Sequence, residues 1–314
     1  MNDQNILPLI SVVMTTYNGE KFLEQQLESV LRQTYPNIEV IVVDDRSTDN
    51  TYSILSKYAA RHPNIKVFVN ENNLGFIKNF EKGCSLGKGE FFALCDQDDY
   101  WHPDKLKKMA DAIGGAPMIY CNSLLCNENM ESTGVYISDR AVFKPIENPL
   151  QQAVFCRIYG HATLITRDLI QSAMPFLDVI PHDWWLSFVA TLHGEIKYLN
   201  EPLVHYRQHA SNLYGAVGGK RRKKSKEQKW QEKLKEIKKI RSRIHAFYQI
   251  CPDHLQKEKS VLKALKESYS SFSLTNNLRR MALFFRYQKQ FLFVKKRSAL
   301  RKWLFCFKMF VMIK

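Results

Sequence analysis

Apolar runs rich in β-branched residues alternate with amphipathic segments along the first 123 residues of the chain. The runs have the length of strands, and the segments between them carry apolar residues at helical spacing. We predict strands at 9–16, 38–45, 65–70, 90–99 and 117–123, and helices at 20–33, 47–62, 76–87 and 102–115. Strands that alternate with helices form right-handed βαβ units. The chain should therefore fold as an α/β protein around a mostly parallel sheet.

Polar residues collect where three of these strands end. The clusters are TTYNGE at 15–20, DDRS at 44–47 and DQDD at 96–99. In open α/β sheets, ligands bind at the carboxyl ends of the strands. These three clusters are therefore the first candidates for a binding site.

The third cluster brings Asp96, Asp98 and Asp99 together after an apolar run. Their carboxylates would repel one another without a cation, and Mg²⁺ or Mn²⁺ prefers such oxygen ligands. An isolated D-x-D is nevertheless more often a solvated turn that caps the next helix. Asp44 and Asp45 allow a similar pair of interpretations, either a contact to a ribose or base or a turn with a helix cap.

Two segments, 10–51 and 70–101, closely resemble the opening of inverting family 2 glycosyltransferases. The family pattern is a strand ending in T-x-Y-N, then D-D-G-S-x-D-x-T, N-x-G and D-x-D-D. Arg46 replaces the usual glycine of D-D-G-S. The resemblance covers about residues 9–214 and implies a GT-A fold that binds a nucleotide-diphosphate sugar.

The resemblance also assigns residues of the donor side. Asp98 would be the direct ligand of Mn²⁺ or Mg²⁺, His209 a further metal contact, and Arg207 a group that neutralises the leaving diphosphate. Lys78 and Asn79 would flank the nucleotide or its diphosphate. The remaining residues expected to line the nucleotide-sugar site are Thr16, Tyr17, Asn18, Glu20, Asp45 and Asp96.

The acceptor side centres on HDWWLSFVATLHG at 182–194, a predicted helix. Asp183 is either an ordinary acidic residue at a helix start or, by the resemblance, the catalytic base. His182 stands where the family often has Glu. Trp184 and Trp185 point about 100° apart on a helix, so we expect one in the core and one as a sugar-stacking surface. His161 is a weaker acceptor-side candidate.

The charge of the chain divides into two unequal parts. Residues 1–214 contain 18 basic and 25 acidic side chains, whereas residues 215–314 contain 28 basic and 6 acidic ones. The change occurs at GAVGGKRRKKSK, residues 215–226. We therefore predict a catalytic domain at 1–214 and a basic α-helical module at 215–314.

The basic module contains two helical patterns, at 225–250 and 278–314. The second mixes Phe, Leu, Met and Trp with Lys and Arg, and no uncharged run is long enough to span a bilayer. An amphipathic helix of this kind is typical of attachment to an anionic membrane surface. Nucleic-acid binding, which we consider the weaker reading, and simple packing on the catalytic domain are the alternatives.

Seven scattered cysteines include no C-x-x-C pair. This argues against a disulfide framework and a structural zinc site, and fits a reducing compartment. The N-terminal residues do not have the pattern of a signal peptide. We expect a cytoplasmic protein bound peripherally to the inner face of the cell membrane.

Together these features predict a metal-dependent, inverting, non-processive transferase. It would move a hexose from a UDP- or dTDP-sugar to a hydroxyl of a lipid-linked surface polysaccharide, since H-D-W-W resembles a bacterial rhamnosyltransferase-like subgroup. A processive synthase should contain spanning helices and Q-x-x-R-W, and a nucleotidyltransferase a Gly-rich basic phosphate loop. A membrane- or nucleic-acid-binding protein with an inactive α/β domain is the alternative.

Overall fold

The computed structural model describes residues 7–210 and 225–311. Residues 215–224 of the predicted domain boundary therefore lie outside the described residues, and the boundary stays a prediction. The described chain is organised around one nine-stranded sheet. Its strands are β1 (Ile10–Thr16), β2 (Ile38–Asp44), β3 (Ile65–Val69), β4 (Phe91–Cys95), β5 (Tyr100–Trp101), β6 (Met118–Cys126), β7 (Ser132–Tyr136), β8 (Thr163–Thr166) and β9 (Ile196–Arg207).

The strand order is β3-β2-β1-β4-β8-β6-β9-β5, with β7 paired to β6. Strands β1 to β4 are mutually parallel, as the βαβ pattern predicts. Strand β8 runs antiparallel to its two neighbours, β4 and β6, whereas β6 and β9 run parallel to each other. The register pairs Thr16 with Asp44, so two of the polar clusters meet at one edge of the sheet. The predicted α/β, GT-A-like sheet is confirmed.

The helices of the first two thirds pack on both faces of this sheet. The five predicted helices form, and each of their ends lies within four residues of the predicted bound. They are α1 (Leu23–Leu31), α2 (Thr51–Arg61), α3 (Phe76–Leu86), α4 (Lys105–Ile113) and α7 (His182–His193). Two further helices, α5 (Ile137–Arg140) and α6 (Arg167–Ala173), and 3₁₀ turns at Pro149–Gln151 and Gly160–Ala162 lie between α4 and α7.

The C-terminal helices are α8 (Lys226–Ile250), α9 (Gln256–Ser268), α10 (Leu274–Arg286), α11 (Gln288–Phe291) and α12 (Ala299–Val311). They share one apolar core with α7 and with one face of the sheet. The contact is direct, because the rings of Phe188 on α7 and Phe247 on α8 stack with centroids 3.7 Å apart. Of the alternatives for the basic segment, packing on the catalytic domain is therefore present in the fold.

The predicted amphipathic helix at 278–314 is divided in the structure. The chain turns back between α11 and α12, so that α12 lies along α10. The buried guanidinium of Arg280 fixes this pair by donating to the carbonyl oxygen of Met309, 3.2 Å away. Folding back buries Phe284, Phe291 and Cys306, which a single extended helix would leave exposed. Among the described residues, no helix combines the length and apolar composition needed to cross a membrane.

Replacing Phe247 with alanine should destabilise the protein strongly. The ring is fully buried between the C-terminal helices and α7, and such truncations cost about 3–5 kcal/mol. Trp230→Ala on the same helix is the control, because that ring is largely exposed. Denaturant titration of both variants measures the difference. Equal stabilities would show that α8 does not depend on this contact.

Candidate active site

An acidic loop lies at the carboxyl end of β4, beside the ends of β1 and β2. It contains Asp96, Asp98 and Asp99. Arg207, the last residue of β9, holds the loop in place. Its backbone N–H donates to Asp99 Oδ1 at 3.1 Å, and its Nε donates to the carbonyl oxygen of Asp98 at 2.7 Å. The two halves of the sheet thus meet at these carboxylates.

Internal groups offset much of the negative charge of this loop. His161 Nδ1 lies 3.3 Å from Asp99 Oδ2 and 3.5 Å from Asp96 Oδ2. Beneath it, the fully buried Lys105 donates from Nζ to the carbonyl oxygen of His161 at 2.6 Å. The repulsion that the sequence suggests is therefore relieved in part within the fold, by the buried Lys105 and by the contacts of the His161 imidazole. The metal site itself stays a prediction.

The pKa values of two carboxyl groups in this loop are shifted in opposite directions. Burial, with the neighbouring charges of Asp98 and Asp96, raises the pKa of Asp99 well above its usual range. Burial opposes the charge of Asp96 as well, but the hydrogen bond and charge of His161 outweigh it and lower the pKa of that carboxyl. Burial also lowers the pKa of Lys105 to about 8. Asp96, whose side chain is 43% exposed, is thus the ionised carboxylate at the mouth of the site.

The two predicted metal ligands lie together. His209 Nε2 is 2.9 Å from Asp98 Oδ2, and the His209 ring packs on Phe22 with centroids 4.8 Å apart. A second set of possible ligands is Asp96, Asp99 and His161, of which the sequence reasoning identified His161 only as an acceptor-side residue. Asp99 Oδ2 is buried without a hydrogen bond to any described residue, and His161 Nδ1 lies 3.3 Å from it. Carboxylate oxygens with one imidazole suit Mn²⁺ or Mg²⁺, so the donor set fits such an ion.

Asp183 lies in the first turn of α7, and its Oδ1 accepts from the backbone N–H of Trp184 at 2.7 Å. Burial raises the pKa of Asp183 to about 7, and the charge of Asp96 contributes. The backbone N–H of Gly160 also bonds to it and limits the rise. A carboxylate with a pKa near neutrality is suited to accept a proton from a substrate hydroxyl.

His182, which stands where the family often has Glu, is buried. Its ring lies against Phe80, with centroids 4.2 Å apart, and close to Phe76. Neither ring nitrogen has a hydrogen-bond partner among the described residues. Burial lowers the pKa of His182 to about 4, so the ring is neutral. A side chain at Gly160 would place its Cβ 2.8 Å from His182 Nε2, and the glycine is needed for this close approach.

The β1 side of the site is a network of loop contacts. Thr16 donates to Asp44 Oδ1 at 2.8 Å, Asn18 Oδ1 accepts from the Thr48 N–H, and Glu20 Oε2 accepts from the Asn50 N–H. Tyr17 is largely exposed, so its ring is free to contact a ligand. Sequence reasoning missed Gln97, whose side-chain amide bonds both backbone groups of Tyr17.

Three other predicted donor-side residues have structural partners. Asp45 accepts from Asn70 and from the N–H groups of Leu74 and Gly75, and so fixes the loop before α3. The buried Asn79 donates to the Val43 carbonyl oxygen. Lys78 bonds to Glu81 and to the Phe176 carbonyl oxygen. Their nucleotide contacts stay predictions.

Arg207 and the two tryptophans are also held by the protein. The buried guanidinium of Arg207 donates to the Glu128 carbonyl oxygen and to Gln25, and lies over the Phe22 ring. Trp185 is a core residue that donates to the Ala173 carbonyl oxygen. Trp184 donates to the Gln152 carbonyl oxygen, and Arg243 of α8 covers its ring at 3.9 Å. The assignments of Arg207 to the diphosphate and of Trp184 and Trp185 to the acceptor stay predictions.

Comparisons with known proteins agree with this geometry. Residues 11–172, just over half of the chain, match the family model "Glycosyl transferase family 2". Rv1520 of Mycobacterium tuberculosis is 30% identical over 231 residues, which are 68% of this chain and 63% of the relative. The dTDP-rhamnosyl transferase RfbG of Shigella flexneri is 28% identical over 65% of this chain and 74% of its own length.

The fold is also that of a solved enzyme. The crystal structure of S. aureus TarS 1–349 with UDP-GlcNAc superposes with a TM-score of 0.61 and 21% identity, covering 90% of this chain and 78% of that one. The chain spans somewhat less than two thirds of the first curated relatives. The match to the family model extends from β1 through the acidic loop and into α6. The chain therefore belongs to glycosyltransferase family 2, and its fold is GT-A.

Proposed function

We propose that the protein transfers a hexose from a UDP- or dTDP-sugar to a hydroxyl of a lipid-linked cell-surface glycan, with inversion at the anomeric carbon. The observation that carries this proposal is the position of Asp183 beside the acidic loop, with a pKa raised to about 7. The relative RfbG, a dTDP-rhamnosyl transferase, supports rhamnose as one candidate sugar. We further propose that the basic helices hold the enzyme at the inner face of the membrane, where such acceptors would be reached.

In this proposal, Asp183 removes the proton from the acceptor hydroxyl as the oxygen attacks the anomeric carbon. The bond to the nucleotide diphosphate breaks from the opposite side, which inverts the configuration. A single displacement needs one base and no carboxylate nucleophile beneath the sugar. Neutral His182, packed between Phe80 and the Gly160 backbone, keeps the first turn of α7 in position for this step.

The donor side would be formed by the β1 and β4 loops. Asp98 and His209 would hold Mn²⁺ or Mg²⁺, with Asp96 beside them at the open edge. When bound, the ion supplies Lewis-acid neutralisation of the charge on the leaving diphosphate. Arg207 contributes by fixing the Asp98 carbonyl oxygen and the Asp99 carboxylate, so the acidic loop is preorganised before the donor binds.

Asp183→Asn should leave donor binding unchanged and reduce transfer by about 10²–10⁴-fold, because an amide cannot take the acceptor proton. Asp168→Asn is the matched control, since that carboxylate also lies in the first turn of a helix, α6, and is exposed. Product formation and titration of the nucleotide sugar measure the two effects separately. Turnover within a few fold of wild type would place the base elsewhere.

Transfer should depend on pH through the same group. Asp183 acts when ionised, and its raised pKa of about 7 means that it is mostly protonated at lower pH. The rate at pH 6 should therefore be about a tenth of the plateau reached above pH 8. A profile of kcat against pH checks this, and the residual activity of Asp183→Asn should lack the inflection. A flat wild-type profile would contradict the assignment.

Removing the metal should abolish transfer. We expect Asp98→Ala or excess EDTA to reduce activity to background, and added Mn²⁺ to restore only the EDTA-treated wild type. Asp111→Ala, at an exposed carboxylate on α4, is the control. Full activity in EDTA would show that the reaction needs no metal.

A further inference from the structure

Helix α12 is apolar on two opposite faces. Its inner face carries the buried Cys306 and Met309. Its outer face carries exposed residues at spacings of three and four, which we call the outer stripe: Leu300, Trp303, Leu304 and Phe307. A helix of a soluble protein usually buries one apolar stripe and exposes polar residues opposite it. The described residues leave the four side chains of the outer stripe 41–66% exposed, so the stripe is an apolar surface open to a partner.

The aromatic rings of the outer stripe pack against one another and against a ring of α10. The rings of Trp303 and Phe307 lie 4.3 Å apart between centroids, and Phe285 of α10 joins them at 4.9 Å from Phe307. Such a cluster presents apolar area without the entropy cost of ordering separate side chains. Tryptophan is also enriched at membrane–water interfaces.

A cationic cleft adjoins the outer stripe at the start of α12. It has a volume of about 590 Å³, and its five basic residues are Lys295, Lys296, Arg297, Arg301 and Lys302. The described part of the chain brings no carboxylate within ion-pair distance of them. The acidic residues end at Glu267, so the last 47 residues of the chain contain none. The cleft therefore has a strong, uncompensated positive field.

The cleft lies close to the candidate active site. Lys295 Nζ sits 3.9 Å from the centroid of Phe155, whose ring also contacts Phe305 of α12. The next residue, Cys156, contacts Ser187 on α7, and its thiol lies within the electrostatic reach of Asp183. One loop thus separates the cleft from the proposed base.

We propose that the cleft binds phosphate headgroups of anionic phospholipids while the outer stripe inserts into the bilayer interface. This inference rests on the membrane attachment proposed above and defines its contact surface. Charge complementarity selects the occupant: a row of cations beside an apolar stripe matches anionic headgroups beside acyl chains. The surface would place the mouth of the active site near the membrane, where a lipid-linked acceptor resides.

The test uses full-length protein and its binding to phosphatidylcholine vesicles with and without phosphatidylglycerol. Leu300→Gln/Leu304→Gln should weaken binding at least thirtyfold, because two apolar side chains no longer insert. The matched control is Leu274→Gln/Leu278→Gln on α10. Its residues have the same spacing and similar exposure, 66% and 45% against 66% and 52%. The control should stay within about threefold of wild type.

The cleft is tested by Lys296→Gln/Arg297→Gln, which should weaken binding to the anionic vesicles about thirtyfold. Lys238→Gln/Lys239→Gln on α8 removes the same charge from an exposed surface and should have little effect. Deletion of the segment is unsuitable, since it would remove the buried Phe284.

Several outcomes would overturn the site. The first is an equal loss of vesicle affinity in a test variant and its matched control, and the second is equal binding of the wild type to vesicles with and without phosphatidylglycerol. The others are displacement of the protein from vesicles by millimolar inorganic phosphate, and tight binding to duplex DNA in place of vesicles. Nucleotide-sugar hydrolysis by each variant separates this inference from the proposed reaction. Hydrolysis should be unchanged when vesicle binding is lost. If the wild-type protein binds vesicles but transfers no sugar, the proposed transfer reaction is contradicted and the proposed membrane-binding site is still supported.

Discussion

The burial of Asp99 is the constraint on which the site depends. A carboxylate with no exposure at a strand end is costly unless neighbouring groups stabilise it or it takes up a proton. Asp99 accepts an N–H from Arg207 and faces His161, and burial raises its pKa well above the usual range. Lys105 is also buried, and its amino group is stabilised by two contacts: it lies over the Trp101 ring and donates a hydrogen bond to the His161 carbonyl oxygen. These contacts join the loop after β4 to the end of β9 and to the turn at 160–162.

The same network determines which groups remain available for chemistry. Asp96 and Asp98 are the two carboxylates of the loop that lie nearer to solvent. Burial, together with the charge of Asp96, raises the pKa of Asp183, so the strength of the proposed base is coupled to the donor side.

Local patterns predict most of the fold, and long-range contacts account for what they miss. The alternation of strands and helices from β1 to α4 follows from residue spacing. The family motifs predict roles for Asp98, His209 and Asp183, and these roles stay predictions. Spacing cannot show that Lys105, in a helix full of lysines, is the one that is buried, since its partners Trp101 and His161 are set by tertiary packing. Gln97 was overlooked for the same reason. The 278–314 pattern predicts one helix, but the gain from burying Phe284 against α12 favours two that fold back.

The shared apolar core fixes the position of the basic helices relative to the proposed catalytic base. A separate basic module on a linker would leave the distance between membrane and active site variable. Here Phe247 of α8 stacks on Phe188 of α7, the helix that begins with Asp183, and Phe305 of α12 contacts Phe155 beside the same region. The surface of α12 is therefore fixed relative to the base by side-chain packing. An acceptor anchored in the bilayer would have to bridge a constant distance with its own glycan, so the protein could select acceptors by length as well as by sugar identity.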